Sequence, residues 1–208
     1  MVARRLYSLN LRMQERILTL TGDSLQTLTA IAETRINEVA ALARLIVDGL
    51  MQDQRIFCCG NGASAANGLS FVSKLANRYE RERPAFPVIM LGQDSAVLTA
   101  IAADVRFQDV FARPLQALAR PGDLLLALSA SGNAPNVAQA ARAMQDAGGR
   151  VLALTGEDGG ELGRTLSDHD LHLRLPGNSL ARIHEAQLFV LNCCCDLIDR
   201  EFFGANDV

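Results

Sequence analysis

The sequence lacks any hydrophobic run that approaches the roughly 20 residues a membrane helix needs. Residues 1–12 are basic but have no apolar segment of about 7–15 residues, which a secretory signal requires. Their arginines leave an organelle transit peptide open as an alternative to a cytosolic protein. We expect a cytoplasmic protein without a membrane partner.

Positive charge is also scarce, because 20 lysines and arginines stand against 23 acidic residues, for a net charge of −3. A protein that grips nucleic acid by its phosphates usually carries a basic face. No cluster of lysine and arginine here is long enough to build one. We therefore expect no direct contact with nucleic acid.

The five cysteines lack the paired spacing of a zinc site, and sequence neighbours rarely reach disulfide geometry. We interpret them as reduced packing residues. They are Cys58, Cys59, Cys193, Cys194 and Cys195.

What is present is a globular balance of 49% hydrophobic and 21% charged residues in 208, enough for one buried domain. Apolar residues that return every three or four positions predict helices at residues 13–51, 65–77, 135–148 and 180–203, and a short helix is expected after residue 160. Apolar runs predict strands at residues 55–59, 87–91, 123–128, 150–155 and, more weakly, 169–175. Apolar strands that alternate with helices indicate an α/β fold with a parallel sheet covered on both faces and a helical pair at the N-terminus.

Two polar turns follow buried strands and precede helices, where parallel sheets collect ligands and helix N-termini attract anions. The first contains Asn61, Gly62 and Ser64, and the second contains Ser129, Ser131, Gly132 and Asn133. We predict that these turns bind phosphate. Helix capping by the same side chains is one alternative. Another is dinucleotide binding, because residues 60–65 satisfy the loose G-x-G-x-x-A pattern.

Six segments in the same order resemble the SIS-domain family of bacterial phosphoheptose isomerases and DiaA-type proteins, which associate with the replication initiator DnaA. They are residues 59–64, 78–84, 121–126, 129–133, 154–160 and 181–185. The resemblance implies a single SIS domain at residues 13–204 after an extension at 1–12. It divides the domain into helices at 13–51, an α/β core at 55–175 and a final helix at 180–203. It also implies a Rossmann-like five-stranded parallel sheet, a homotetramer, and Asp104 beside the sugar phosphate.

The isomerases use a glutamate and a histidine for proton transfer, and both join a second histidine and a glutamine around zinc. The resemblance puts the catalytic glutamate on Lys74 and the catalytic histidine on Asn192. It puts the second histidine on Ser70 and the glutamine on His184, so no catalytic or metal set is intact. A lysine ammonium also repels a nearby dication. We expect no cofactor, and zinc only if the chain is an isomerase. A Lys74 base with a lowered pKa and weak metal binding at His184 stay open.

These departures favour a non-catalytic phosphosugar-binding protein of the DiaA type, a homotetrameric scaffold for DnaA that regulates replication initiation. Residues 192–199 also resemble that branch. The alternative is a sedoheptulose 7-phosphate isomerase with a rearranged site, and another phosphosugar-sensing role stays open. Phe202 and Phe203 are candidate partner-binding residues or plain packing.

Overall fold

Five parallel strands form the centre of the domain in the computed structural model, which describes residues 2–156 and 158–204, with side chains from residue 10. The strand order is β2-β1-β3-β4-β5, and every neighbouring pair is parallel. The strands are β1 (Ile56–Gly60), β2 (Val88–Met90), β3 (Leu124–Ser129), β4 (Arg150–Gly156) and β5 (Leu171–Leu175). The predicted fold class is confirmed.

Helices cover both faces of this sheet. They are α1 (Val2–Thr34), α2 (Ile36–Met51), α3 (Gly62–Ala76), α4 (Ser95–Asp104), α5 (Ala112–Leu118), α6 (Pro135–Asp146), α7 (Gly160–Thr165) and α8 (Leu180–Phe203). Of these, α4 and α5 had no counterpart among the predicted elements. None of the described helices combines the length and apolarity that crossing a membrane requires. The division at residue 12 stays a prediction, and α1 runs through it without a break.

Because helices cover both faces of the sheet, the side chains of β1, β3 and β4 are mostly apolar on both sides. Cys58, Leu126 and Leu152 point to one face, where they pack in a core with residues of α2, α3 and α8. Their neighbours Phe57 and Leu125 point to the other face and pack with residues of α5 and α6. Because both faces are covered, little polar surface is tolerated before the carboxyl ends of the strands, where the two polar turns lie.

Candidate functional site

A cavity of about 160 Å³ joins the two predicted turns at the carboxyl ends of β1 and β3. Four of the predicted ligand residues line it, namely Asn61, Ser64, Ser129 and Ser131, together with His184 from α8. A larger cavity of about 700 Å³ lies where the strands begin, away from both turns. Ligand pockets usually measure roughly 300–1,000 Å³, so the smaller cavity has room for one end of a ligand rather than a whole sugar.

The first turn is anchored by a side-chain pair rather than by helix capping. Asn61 precedes α3, yet its amide caps nothing in that helix. Instead, the Asn61 Nδ2 donates to Asn136 Oδ1 at 2.8 Å, and Asn136 Nδ2 donates back to Asn61 Oδ1 at 2.9 Å. Asn136 is buried at the start of α6, so this pair ties the first turn to the helix that follows the second turn.

The second turn is held by a close backbone approach. Gly132 has a φ of 68°, and a Cβ there would lie 2.2 Å from the carbonyl oxygen of Gly159. The Leu162 N–H donates to the Gly132 carbonyl at 2.8 Å. Only glycine fits this position, because it tolerates a positive φ and has no Cβ to meet the facing loop.

Three predicted residues are not brought into this cavity. Asn133 directs its Oδ1 to the Glu161 N–H at 3.0 Å and its Nδ2 to the Ser131 carbonyl at 3.1 Å. Gly62 lines a neighbouring apolar cavity of about 320 Å³, which lies beside α4. Asp104 is exposed at the last residue of α4. Their ligand-binding roles stay predictions.

A buried amide network joins the cavity to α8. Ser64 Oγ donates to Gln187 Oε1 at 3.0 Å, and Gln187 Nε2 reaches the Leu154 carbonyl at 3.4 Å. Asn67 Nδ2 donates to the His184 carbonyl at 2.8 Å. Burial lowers the pKa of His184, so its imidazole faces the cavity as a neutral ring near pH 7.

Asn67, Asn136 and Gln187 were not among the site residues predicted from the sequence. The available signal was the polarity of Asn136 and Gln187 on helix faces that are otherwise apolar. Both are almost fully buried, which a polar side chain tolerates only when it is hydrogen-bonded.

Two of the four positions that the resemblance assigns to the isomerase metal ligands are in contact. Lys74 Nζ donates a short hydrogen bond to Asn192 Oδ1 and lies 5.6 Å from the centroid of the Tyr79 ring. Eight residues separate His184 from Asn192 on α8, which is about 12 Å along a helix. The remaining position, Ser70, is half-buried on α3.

Comparisons with known proteins agree with this geometry. Residues 21–156 match the model of the SIS domain. The DnaA initiator-associating protein DiaA of Escherichia coli O1:K1 is 42% identical over 196 residues, which cover 94% of this chain and all of DiaA. DiaA of Escherichia fergusonii gives the same values. The chain belongs to the SIS-domain family.

Two solved SIS structures have the same architecture. A phosphoheptose isomerase from Francisella tularensis superposes with a TM-score of 0.87 at 33% identity, over 90% of this chain and 98% of that one. GmhA, the phosphoheptose isomerase of Neisseria gonorrhoeae, gives a TM-score of 0.85 at 34% identity with the same coverage. The fold is thus shared with enzymes, whereas the DiaA proteins are the more identical of these relatives.

The residues at the positions that the resemblance assigns to the isomerase metal ligands do not suit zinc. Zinc in proteins takes thiolate, imidazole and carboxylate ligands, and here only His184 offers one of these groups. Asn192 Oδ1 already accepts from Lys74, whose ammonium has no lone pair to offer. Among the residues that the structure describes, no group of three histidine, cysteine or acidic side chains could hold a metal.

The two candidate partner-binding phenylalanines of this SIS chain lie in an aromatic cluster with Phe86. Ring centroids are 5.0 Å apart for Phe86 and Phe202, and 6.0 Å apart for Phe202 and Phe203. Phe202 packs partly buried on the core, whereas Phe203 is 38% exposed. Phe203 is therefore the one of the two that a partner can reach without displacing the core.

Proposed function

We propose that this SIS chain is a non-catalytic, phosphosugar-binding regulator of replication initiation that works in the cytoplasm as a homotetrameric scaffold for DnaA. The observation that carries the proposal is the hydrogen bond that Lys74 donates to Asn192. Lys74 stands where the isomerases have a carboxylate base, and it is bonded to Asn192 where they have a catalytic histidine. The cavity lined by serines lies at the other end of α3.

Moving a proton between adjacent sugar carbons needs a base, an acid and a group that steadies the developing oxyanion. An ammonium that donates to an amide oxygen supplies no base. The hydroxyls of Ser129 and Ser131 and the N–H groups of the turns can still bind a phosphate, because that task needs donors alone. Binding therefore survives a change that removes proton transfer.

The second candidate function is sedoheptulose 7-phosphate isomerisation with a rearranged site. It is supported by the isomerases that superpose on this chain and by the neutral His184 imidazole at the cavity. Incubation of the purified protein with sedoheptulose 7-phosphate, with the aldose product measured, distinguishes the two. We expect no turnover above a protein-free control. Turnover at an enzyme-like rate, lost in His184→Gln, would establish the second candidate instead.

Ligand binding is tested by thermal denaturation with increasing sedoheptulose 7-phosphate, since a ligand that binds only the folded state raises the melting temperature. We expect a rise for the unsubstituted protein and none for Ser129→Ala with Ser131→Ala. Ser73→Ala is the matched control, because Ser73 is exposed and its hydroxyl bonds only within α3, to the Ser70 carbonyl. Equal shifts in all three proteins would mean that the turns do not bind the phosphate.

The partner is tested with full-length DnaA captured on the immobilised protein. We expect Phe203→Ala to weaken capture at least fivefold while the oligomer mass and melting temperature change little, because this ring is partly exposed. Leu118→Ala is the control, since it removes a similarly exposed side chain from α5. If Phe203→Ala captures DnaA as well as the unsubstituted protein does, Phe203 is not a partner-binding residue. If the unsubstituted protein captures no DnaA, the proposed scaffold role is wrong.

A further inference from the structure

A second polar cavity lies at the amino ends of the strands, at the opposite end of the sheet from the two turns. It has a volume of about 700 Å³ and is enclosed by the end of α2, the starts of β3 and β4 and the loop that precedes β5. A volume of roughly 300–1,000 Å³ is typical of sites that hold a whole small molecule. Ligands of parallel sheets usually bind at the carboxyl ends of the strands. The polar side chains at this other end therefore need an explanation of their own.

One wall of this cavity is fixed by Asp170, which lies just before β5. Its carboxylate accepts from the Val151 N–H at 2.7 Å and from Gln145 Nε2 at 2.6 Å. It also accepts from the N–H and the hydroxyl of Ser167, both at 2.8 Å. These four bonds hold the loop that precedes β5 against β4 and α6. The Asp170 carboxylate is thus occupied by its own chain and shapes the cavity rather than binding a ligand.

Arg150 lines the cavity with a cation that has no counterpart in the described part of the chain. Its backbone N–H donates to the Asp123 carbonyl at 2.9 Å. Its guanidinium bonds to none of the residues that the structure describes, and its Nε is buried without an acceptor. By contrast, Arg55 and Arg83 each pair with an aspartate at 2.7 Å. Because buried polar atoms are almost always hydrogen-bonded, an acceptor from outside the chain would complete the environment of Arg150.

Two carboxylates that also lack partners line the same cavity. Asp48 is half-buried near the end of α2, and Asp168 is exposed in the loop that precedes β5. Within residues 10–156 and 158–204, no side chain or N–H group bonds to either carboxylate. The unpartnered arginine and acidic groups of the lining are therefore one guanidinium and two carboxylates.

This pattern of charges selects the kind of ligand. A phosphate or another polyanion would pair with Arg150 but would be repelled by the two carboxylates. A diamine would pair with the carboxylates but would leave the guanidinium without an acceptor. A molecule with one carboxylate and two ammonium groups matches all three, since a guanidinium and a carboxylate form strong, often bidentate, hydrogen bonds. Basic amino acids have this composition.

We propose that the cavity at the amino ends of the strands binds a basic amino acid, whose carboxylate pairs with Arg150 and whose ammonium groups pair with Asp48 and Asp168. This site is separate from the proposed phosphate cavity. Arg150 begins β4, and the other end of this strand, beside Ser129, is about 20 Å away. The two ligands would therefore not exclude each other.

Isothermal titration calorimetry with the full chain tests the class of ligand. We expect L-lysine to bind at least tenfold more tightly than cadaverine, which lacks the carboxylate, and than ε-aminocaproate, which lacks the α-ammonium group. L-Glutamate and inorganic phosphate should bind more weakly still. All are compared at one ionic strength, because salt screens exposed charges. Equal affinity for cadaverine and L-lysine, tighter binding of phosphate or no binding of L-lysine at millimolar concentration would each overturn the proposal.

Substitutions locate the site. We expect Arg150→Gln and Asp48→Asn each to weaken the binding of L-lysine at least tenfold. The matched controls are Arg164→Gln and Asp146→Asn, which remove the same charges from exposed residues that do not line the cavity. The controls should leave the affinity unchanged. If Arg150→Gln binds L-lysine as tightly as Arg164→Gln does, the amino acid does not bind in this cavity and the proposal is wrong.

The sugar phosphate separates this inference from the proposed function. Ser129→Ala with Ser131→Ala should lose the thermal shift by sedoheptulose 7-phosphate and keep its affinity for L-lysine, whereas Arg150→Gln should show the opposite pattern. An unsubstituted protein that binds L-lysine but no sugar phosphate supports this inference and contradicts the proposed phosphosugar binding. A protein that binds the sugar phosphate but no L-lysine contradicts this inference alone.

Discussion

The contact between α3 and α8 has two ends with opposite properties. At one end, Ser64 lines the cavity of the two turns and donates to the buried Gln187. At the other end, Lys74 bonds to Asn192, and the buried Arg83 pairs with Asp199. The proposed phosphate cavity and the Lys74–Asn192 contact thus lie at opposite ends of the same helix pair. In the function proposed above, binding and catalysis are therefore separable along this pair.

The closed end, where Lys74 bonds to Asn192, is built around the Arg83 side chain. Its side chain is 0% exposed and its Nε donates to Asp199 Oδ1 at 2.7 Å. The same guanidinium donates to the carbonyls of Lys74 and Leu75 in the last turn of α3 at 2.7 and 2.9 Å, and its carbon lies 4.5 Å from the Phe86 ring centroid. One cation therefore satisfies carbonyls that a helix end leaves without partners and joins that end to α8.

The largest effect is expected for Asp199→Ala at the closed end. Removing one partner of a buried pair leaves an uncompensated charge, so the free energy of unfolding in urea should fall by about 3–5 kcal/mol. The control Asp196→Ala removes an exposed partner of Arg200 and should cost about 1 kcal/mol or less. If the two variants unfold at the same urea concentration, the buried pair of Arg83 and Asp199 stabilises the fold no more than the exposed pair does.

The next effect is expected at the cavity end, for Gly132→Ala. A positive φ costs roughly 1–2 kcal/mol for a residue with a Cβ, and the clash with the Gly159 carbonyl adds to it, so unfolding should become easier by about 3 kcal/mol. The thermal shift by sedoheptulose 7-phosphate should also vanish. Gly62→Ala is the control, because Gly62 also has a positive φ of 53° but a Cβ there would meet nothing within 4 Å. It should lower the free energy of unfolding by about 1 kcal/mol. Equal losses of unfolding free energy in the two variants would show that backbone strain alone causes them, and that the close approach of Gly132 to the Gly159 carbonyl adds nothing.

A smaller effect is expected for Lys74→Met, which keeps the length of the side chain. It removes the hydrogen bond to Asn192 and the contact with the Tyr79 ring, so the free energy of unfolding should fall by about 1 kcal/mol. The shift by sedoheptulose 7-phosphate should persist, because Lys74 does not line the cavity. A lost shift would mean that the cation holds the ligand and that the two ends act together.

Local patterns were enough to predict the strands and the two turns, because a buried strand is an apolar run and the turn after it is a polar one. They missed α4 because most of its side chains are exposed, although Asp94 caps it by accepting from the Ala96 and Val97 N–H groups. Asp94 was the sequence signal for that helix, since aspartate is a favoured N-cap.

The partners within the site could not be read from local patterns. Asn61 and Asn136 are 75 residues apart, and Ser64 and Gln187 are 123 apart, so only the fold brings them together. Asn133 shows a second limit, because an asparagine in a polar turn serves equally well to receive a ligand or to bond the backbone of the next helix. The residue type is the same in both cases, and the direction of the side chain decides.

The smallest effect is expected away from the cavity, at His172 on the edge strand β5, and it depends on pH. Thr155 Oγ1 donates to the Gly156 carbonyl at 2.8 Å and shares a second hydrogen bond of 2.8 Å with His172 Nε2. Burial, and then the charge of Arg174, lower the pKa of His172.

The unfolded chain therefore takes up a proton at His172 first as the pH falls below about 6.5, and stability is lost from there down through the folded pKa. His172→Gln keeps a hydrogen-bonding group for Thr155 and should flatten the fall of the melting temperature between about pH 7 and 5. His169→Gln, at an exposed residue before β5, is the control and should leave the fall unchanged. A fall as steep in His172→Gln as in the unsubstituted protein would assign the loss to other groups, of which His184 is the first to test.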